Sequence, residues 1–423
     1  MKYFNSKLGA RWISILLFAS LLIASATCGV SLAKYSDDKT VDNISLTVMA
    51  SYTLEKGSAF LSDLKKAKID TAKVIFGYAS DHPDIVNSSD YTAVGVAINN
   101  SGSKTDDIKM YYNSTDTTVY VLSAGNIYAN QDSSYLLGDE KKQLNLEKVE
   151  FSNFNTSKVT DMHGMFLWAS KLTHIDVSHF DVSNVKNMES MFRDCEKLGE
   201  IDLSSWYTPK LENMYQMFTY CESATSITFG PNFSTENVTS MNRSFMGCYK
   251  LESLDLKGFN TSKVVNMGNM FRYCCSLKSL DLSSFDTSNV KNMNSMFSFK
   301  WSDYPSNLVE LNLGSFNTKS LTDMTEMFSY CEKLKTITVG NSFDVSSVTS
   351  DSNAFLNCYS ICGGQNTRYN LSYVDKTYAH IDGGTDNPGY FTAAPGTATN
   401  STYSATGTDR EANGFGITSN LAS

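Results

Sequence analysis

The sequence predicts an α/β repeat solenoid with a parallel sheet along one face, preceded by a small β-rich region. Three observations predict this class. Motifs such as FNTSKVVNMGNMF and FDTSNVKNMNSMF recur from Phe154 onwards, their lead aromatic residues are 26 to 31 residues apart, and the apolar spacing changes within each unit. A period of this length is typical of chains in which each unit buries its apolar side against its neighbours.

The first element is a leader at residues 1–33. Lys2, Lys7 and Arg11 precede a charge-free run over residues 12–33. This pattern indicates a signal peptide or a membrane anchor, and 22 apolar and small residues are enough to cross a bilayer at about 1.5 Å per residue. We expect the basic flank to stay inside the cell and the rest of the chain to be exported.

Residues 34–116 do not repeat, and we interpret them as a small β-rich region. Two β-like stretches, at 44–52 and 91–98, flank a short helix near 58–68. Residues 117–153 follow as an N-terminal cap of the solenoid, because strand-like apolar spacing appears there without the preceding turn motif. The pattern does not predict a function for residues 34–116.

Residues 154–362 are predicted to form eight repeats. In one unit Leu280 and Leu282 lie two apart and share one face of a short strand. Val290, Met293 and Met296 recur at a spacing of three, which predicts a short helical or 3₁₀ turn. The lead aromatic residues are Phe154, Phe180, Trp206, Phe233, Phe259, Phe285, Phe316 and Phe343.

The C-terminal end is predicted to be a closing segment at 363–391 and a disordered tail at 392–423. In the tail, 24 of 32 residues are Thr, Ala, Ser, Gly or Asn, which cannot bury a core. In the last repeat Asp351 and Ala354 replace two core methionines, as expected if no further coil covers them.

The unit FDTSNVKNMNSMFxxCxxLxxLDLSS resembles the repeat of the BspA-type leucine-rich-repeat surface proteins of bacteria. The resemblance covers about 240 of the 423 residues, and the segment YAHIDGGTDNPGYF at 378–391 also resembles the end of such solenoids. It implies a leucine-rich-repeat fold, exposure at the cell surface and a role in adhesion or protein binding. Trp206, Ala224 and an insertion at 301–306 depart from the pattern.

Residues with reactive side chains are interpreted mainly as core. Cysteines occupy one repeat position six times, and a spacing of 26 or 27 does not bring two zinc-ligand pairs into one unit. Thirteen of 17 methionines fall at two repeat positions with helical spacing. We predict no catalytic residue, no cofactor and no metal, while a local disulfide between Cys358 and Cys362 stays open. A net charge of -9 argues against a nucleic-acid partner.

The candidate ligand-facing residues lie between the two inward leucines of each predicted strand. They form a row that is either a solvated polar face or a binding face: Asp176, Asp202, Asp255, Asp281 and Asn312. Trp301, in the insertion, is the competing contact point, because an aromatic residue on a loop is a common binding feature.

The function predicted from these features is adhesion to a protein or glycan outside the cell, by a surface-displayed, non-enzymatic bacterial protein. The leader would also contact the membrane if it is uncleaved. Two alternatives remain. The leader with AKYSDDKTVDNISLTV resembles the start of exported biofilm-matrix proteins, which implies a structural extracellular role. The second alternative is an enzyme with a catalytic region before the repeats.

Overall fold

The computed structural model describes residues 50–67, 70–142, 144–299 and 305–397. In this part of the chain the strands are β1 (Ser51–Leu54), β2 (Lys73–Tyr78), β3 (Thr92–Ile98), β4 (Lys104–Tyr112), β5 (Thr118–Ser123), β6 (Asn126–Tyr128), β7 (Lys148–Phe151), β8 (Glu200–Leu203), β9 (Ser226–Phe229), β10 (Ser279–Asp281), β11 (Glu310–Leu313), β12 (Thr336–Val339) and β13 (Thr392–Ala393). The helices are α1 (Gly57–Ala67) and α2 (Pro83–Val86), with 3₁₀ turns at Ala79–Asp81, Lys376–Tyr378 and Gly384–Asp386.

The N-terminal sheet has seven strands in the order β6-β1-β3-β4-β5-β2-β7. Its centre is antiparallel, with β3 paired to β4 and β4 paired to β5, whereas β2 pairs in parallel with both β5 and β7. Strand β3 lies within the stretch 91–98 expected from the sequence, and helix α1 begins and ends one residue before the helix expected near 58–68. The sheet joins strands from both sides of residue 117, so the predicted β-rich region and the predicted cap form one unit.

Helix α1 covers one face of this sheet. Phe60, Leu61 and Leu64 recur at a spacing of three and four and are buried, while Lys65 and Lys66 lie in the last turn, where cations favour the helix dipole. Phe60 packs against Phe76 of β2 with ring centroids 5.8 Å apart.

The N-terminal sheet continues directly into the first repeat. Phe76 packs against Phe154 at 4.7 Å, and Phe151 of β7 packs against Phe180 at 5.0 Å. Parallel bridges also join Tyr128 to Asn155 and Asp132 to Asp161. One hydrophobic core therefore runs from the N-terminal sheet into the repeats.

The predicted fold class, an α/β repeat solenoid with a parallel sheet on one face, is wrong. Helix accounts for only 7% of the structure, and both α-helices precede the repeats. The strands form three separate sheets of seven, four and two strands in the part of the chain that the structure describes. Strands of two to four residues after β7 are too short and too interrupted to make one continuous sheet.

The predicted helical turn is also absent from the repeats. Every second backbone N–H in this segment donates to a carbonyl of the neighbouring repeat instead of to its own turn. The N–H groups of Met293, Ser295 and Phe297 donate to carbonyls of the following repeat, at 2.8 to 2.9 Å. Of the residues between them, Met296 donates to the carbonyl of Met293, three positions back, and Asn294 donates to the side-chain oxygen of Asn292. Ser295 adopts φ 52°, a left-handed conformation that no α-helix contains. The segment is thus a chain of β-turns.

Neighbouring repeats are held together mainly along this turn segment. Single parallel bridges connect equivalent residues of consecutive repeats, each of which precedes the first core methionine or, in the last repeat, Asp351: Asp161, Asn187, Asn213, Ser240, Asn266, Asn292, Asp323 and Ser350. On the strand side the pairing stops twice, because residues 174–177 and 254–256 form no strand. The repeats are therefore closely joined on one side and open in places on the other.

The core of the repeats consists of ladders of equivalent side chains. All thirteen methionines at the two repeat positions are fully buried, as predicted. Beside them eight phenylalanines stack with ring centroids 5.2 to 5.8 Å apart: Phe166, Phe192, Phe218, Phe245, Phe271, Phe297, Phe328 and Phe355.

The last repeat is covered, contrary to the expectation drawn from Asp351 and Ala354. Ala354 is fully buried, the N–H of Phe355 donates to the carbonyl of Val374, and the Tyr390 ring lies 5.1 Å from that of Phe355. The closing segment thus takes the place of a further repeat. The closing segment continues into β13, which pairs with β12. Strand β13 therefore lies among the residues that the sequence predicts to be a disordered tail.

The leader at 1–33 and most of the predicted tail lie outside the described residues. Within the described ranges, no helix has the length and apolar composition needed to span a membrane.

Candidate binding face

The five residues predicted to face outwards are all exposed, but they do not form one row. Asp202 in β8 pairs with Thr228, and Asp281 in β10 pairs with Asn312 in β11. Asp176 and Asp255 lie in the two segments that form no strand. Trp301 lies outside the described residues. The row expected from a continuous sheet is therefore interrupted on both sides of the β8–β9 pair.

Each of these outward residues has a local structural role that the sequence analysis missed. The Oδ1 atom of Asp202 accepts the backbone N–H of Ser204 at 2.9 Å, and Asp281 accepts that of Ser283 at 3.0 Å. Asn312 makes the same bond to Gly314 at 3.1 Å. A side-chain oxygen that accepts an N–H two residues later is a common turn device. The recurrence of Asp at this position thus has a cause that requires no ligand.

The same hydrogen bonds affect ionisation. Hydrogen bonds from Ser178, Ser204 and Ser283 stabilise the charged form and lower the pKa values of Asp176, Asp202 and Asp281 respectively. These carboxylates therefore carry negative charge at neutral pH and expose it to solvent.

The first cleft on this face lies where β7 and residues 173–179 fail to pair. It has a volume of about 470 Å³ and is lined by Asp176, His174, His179 and the residues of β7. The floor is Phe151, whose ring lies 6.2 Å from that of His179. Glu150 at the wall binds Lys148 and Lys73, each at 2.9 Å, and these ion pairs lower the pKa of Glu150.

The second cleft lies where β9 and residues 253–259 fail to pair. It measures about 410 Å³, and its charged side chains are Asp255 and Lys257. Phe229, Phe233 and Phe259 form an apolar floor, with the Phe229 and Phe259 rings 5.0 Å apart.

The third cleft lies across the outward face of β10, β11 and β12. It measures about 490 Å³ and is bounded by Pro395 on the far side. Asp281 and Asn312 line it, and the Asn312 amide donates to Asp281 at 3.2 Å. The three clefts therefore contain Asp176, Asp255, Asp281 and Asn312, while Asp202 lies outside them.

The cysteines contribute to stacking, as predicted. The Sγ atom of each repeat cysteine donates to the carbonyl of the ladder phenylalanine in the preceding repeat, at 2.9 to 3.3 Å: Cys195, Cys221, Cys248, Cys274, Cys331 and Cys358. Burial raises the pKa of all six thiols, so they stay protonated and unreactive at neutral pH. Cys358 and Cys362 are not joined by a disulfide.

No group of three or more His, Cys, Asp or Glu side chains that could hold a metal ion occurs within the described ranges. A pocket at the edge of the N-terminal sheet, with Glu55 among its lining residues, was not predicted from the sequence. No motif signals it, because its residues come from four separate segments of the chain.

The fold and the outward face define a protein of stacked repeats. A mixed sheet caps the repeats at their N-terminal end, and three clefts lie along one side of them. The chain belongs to the family described as Mycoplasma protein of unknown function, DUF285. The family model matches residues 136–229, 221–307 and 304–386, which together span 251 of the 423 residues. Comparisons with curated proteins and with solved structures found no match.

Proposed function

We propose that this chain is an exported, surface-displayed binding protein that attaches to a protein or glycan ligand through the outward face of its repeats. The observation that carries the proposal is the coincidence of two independent features. Four of the five residues singled out by their outward position in the sequence line three open clefts on that face.

The composition of these clefts supports binding of an extended partner. Each is open, and between them they offer exposed carboxylates and amide groups above a floor of largely buried phenylalanines, a combination of polar groups and apolar surface that is typical of recognition sites. Since the ladder side chains are buried, the groups open to a partner are those on the outer faces.

The charge on the face favours a partner with positive groups. Carboxylates outnumber ammonium groups in the first and third clefts, whereas Asp255 and Lys257 balance each other in the second. The whole chain carries a net charge of -9. Attraction between exposed charges weakens as salt is added, because the Debye length falls to about 8 Å at physiological ionic strength. Binding should therefore decrease with ionic strength.

The test is a binding screen of the full chain against extracellular-matrix proteins and glycans, followed by two double variants. Asp255→Asn with Asp281→Asn removes two cleft charges while keeping the oxygen that accepts the backbone N–H, as Asn312 does naturally. We expect a roughly threefold to tenfold loss of affinity from two exposed charges. The matched control, Asp202→Asn with Asp344→Asn, removes two turn-forming carboxylates outside the clefts and should leave affinity unchanged.

Two results would contradict the proposal. Binding that survives the cleft variant but is lost when residues 301–306 are deleted would place the site on the insertion that contains Trp301. Assembly of the purified chain into polymers, without saturable binding to any ligand in the screen, would favour the extracellular-matrix alternative.

A further inference from the structure

Among the described residues, strand β9 has a pairing partner along one edge only. It pairs with β8 in register from Ser226 to Phe229, and these two strands form a sheet of their own. Along its other edge lie residues 253–259, which form no strand and line the second cleft together with β9. In a strand every second residue directs its N–H and C=O groups to the same edge, so β9 presents a row of backbone donors and acceptors to the cleft.

The gap beside β9 is confined to the strand side of the repeats. On the turn side, parallel bridges join Asn213 to Ser240 and Ser240 to Asn266. The phenylalanine ladder is also continuous at this level, because the rings of Phe218 and Phe245 stack with their centroids 5.5 Å apart. The repeats on either side of the second cleft are therefore held in place by the turn side and the core, so the cleft is a preformed part of the fold.

Two apolar positions of the strand side are opened by this gap. Phe229 and Leu254, which lie on its two sides, are partly exposed. At the equivalent positions in the neighbouring strands, Leu203 of β8 is fully buried and Leu280 of β10 is 4% exposed. The second cleft thus exposes apolar surface that is covered in the flanking strands, and this surface lies beside the free edge of β9.

A row of backbone donors and acceptors beside apolar side chains fits an extended peptide. A peptide strand repeats its N–H and C=O groups along its length and directs its side chains alternately to two faces, whereas a glycan has no equivalent row. The inward side chains of such a strand would cover Phe229 and Leu254, and the outward ones would lie beside Thr228 and Asp255. Asp255 and Lys257 balance each other in charge, so backbone bonding and apolar contact are the main attractions that this cleft offers.

We propose that the second cleft binds an extended peptide segment of a partner protein, which adds a strand to the free edge of β9 by backbone hydrogen bonding. In recognition by strand addition, the backbone supplies affinity and the alternate side chains supply selectivity. The inference rests on the proposed function, because it names the kind of partner that the outward face takes at this cleft.

The probe is the synthetic peptide KLKTITVG, which copies residues 333–340. It contains β12, which pairs in parallel with both β11 and β13, so this sequence is compatible with pairing along either edge. We expect saturable binding of the peptide to the full chain in calorimetry. Two further copies carry N-methyl groups at alternate residues, in the two possible registers. N-methylation removes N–H donors and keeps the side chains, so at least one copy should bind about tenfold more weakly or worse.

Gly258→Trp tests the position of the peptide. Gly258 lines the second cleft, and a Cβ atom there would have no heavy atom within 4 Å apart from its neighbours in the chain. A large side chain can therefore fill the cleft without displacing the core, and we expect peptide affinity to fall about tenfold or more.

The matched control is Gly199→Trp. A Cβ atom at Gly199 is equally free of contacts, and Gly199 lies outside the lining of the three clefts. This variant should leave peptide affinity within about twofold of that of the unmodified chain.

Three results would overturn the inference: no binding of the peptide, equally tight binding of the unmodified peptide and both N-methylated copies, or the same loss in Gly258→Trp and Gly199→Trp. If the full chain binds a glycan saturably but does not bind the peptide, the inference fails and the proposed function stands.

Discussion

The N-terminal sheet (residues 50–151) and the repeats (residues 154–362) satisfy their backbone polar groups in different ways. In the N-terminal sheet β3 and β4 each pair antiparallel with the strand that follows them in the chain, whereas β2 pairs in parallel with β5 and β7, which lie 45 and 75 residues further along the chain. In the repeats the strands are three or four residues long, and the remaining bonds join turns in consecutive repeats.

Side chains bond to backbone groups in both regions, at single positions such as Ser123 and Asn130 in the sheet and at recurring positions in the repeats. A buried threonine in most repeats donates to a backbone carbonyl of the next, as Thr261 does to Asp286 at 2.9 Å. The cysteine ladder donates to carbonyls of the preceding repeat, and the Asp, Asn and Ser residues at the bridges accept N–H groups of their own turn. The repeat sequence is therefore constrained at polar as well as apolar positions.

Fewer side chains are needed for backbone hydrogen bonding in the N-terminal sheet than in the repeats. Its backbone is paired by strands, so side chains such as Glu55 and Lys104 are available for other purposes. The comparison teaches that a recurring polar residue in a repeat is first explained by backbone bonding. Outside the repeats, the buried carboxylate of Glu55 serves a single ion pair, with Lys104 at 2.9 Å.

The largest effect should come from a charge in the repeat core. Met293→Asp places a carboxylate at a fully buried position between stacked repeats, and we expect a loss of more than about 4 kcal/mol in the free energy of unfolding. Denaturant unfolding followed by circular dichroism measures it. Met293→Leu, which nearly conserves volume, should cost less than about 1.5 kcal/mol. An unchanged midpoint in Met293→Asp would show that stacking does not bury this position.

A smaller effect should follow from removing one side-chain bond between repeats. Thr261→Val keeps the shape but leaves the Asp286 carbonyl without its donor, so we expect a loss of about 1 to 2 kcal/mol. Thr239→Val changes an exposed threonine and should alter stability by no more than about 0.5 kcal/mol. If both variants lose the same amount of stability in denaturant unfolding, the bond from the buried threonine does not stabilise the stacking of the repeats.

The smallest effect should be a difference in pH dependence between the two regions. The pKa of Asp202 is lowered, so its contribution is present above the unfolded value of about 3.8 and is lost as pH falls. Asp202→Asn should flatten the acid limb of a stability profile by less than about 1 kcal/mol, because solvent screens an exposed group.

Glu55 should show the opposite sign. Its pKa is raised above 4.5, so the folded state gains stability as pH falls through the raised pKa towards 4.5. Glu55→Gln should remove that gain. The measurement is the free energy of unfolding of both variants as a function of pH. If Asp202→Asn and Glu55→Gln change this pH dependence in the same direction, the distinction between an exposed, hydrogen-bonded carboxylate and a buried carboxylate with one unbonded oxygen is wrong.

The sequence alone was sufficient to locate the repeats and their buried positions. The methionine and cysteine positions, and the outward direction of Asp176, Asp202, Asp255 and Asp281, all agree with the structure. The reason is that burial repeats with the period of the chain: a side chain that contacts its equivalents in both neighbouring repeats must recur at one position, and recurrence is visible without coordinates.

The tertiary structure decided how each backbone N–H is used. A spacing of three and four suits a helix and a chain of β-turns equally well, and Met293 to Phe297 form the latter because alternate N–H groups bond the next repeat. Where the short strands stop pairing is likewise set by contacts between units 26 or more residues apart, so the first and second clefts have no local signature in the sequence. The Glu55 pocket is assembled from four separate segments, and only folding brings them together.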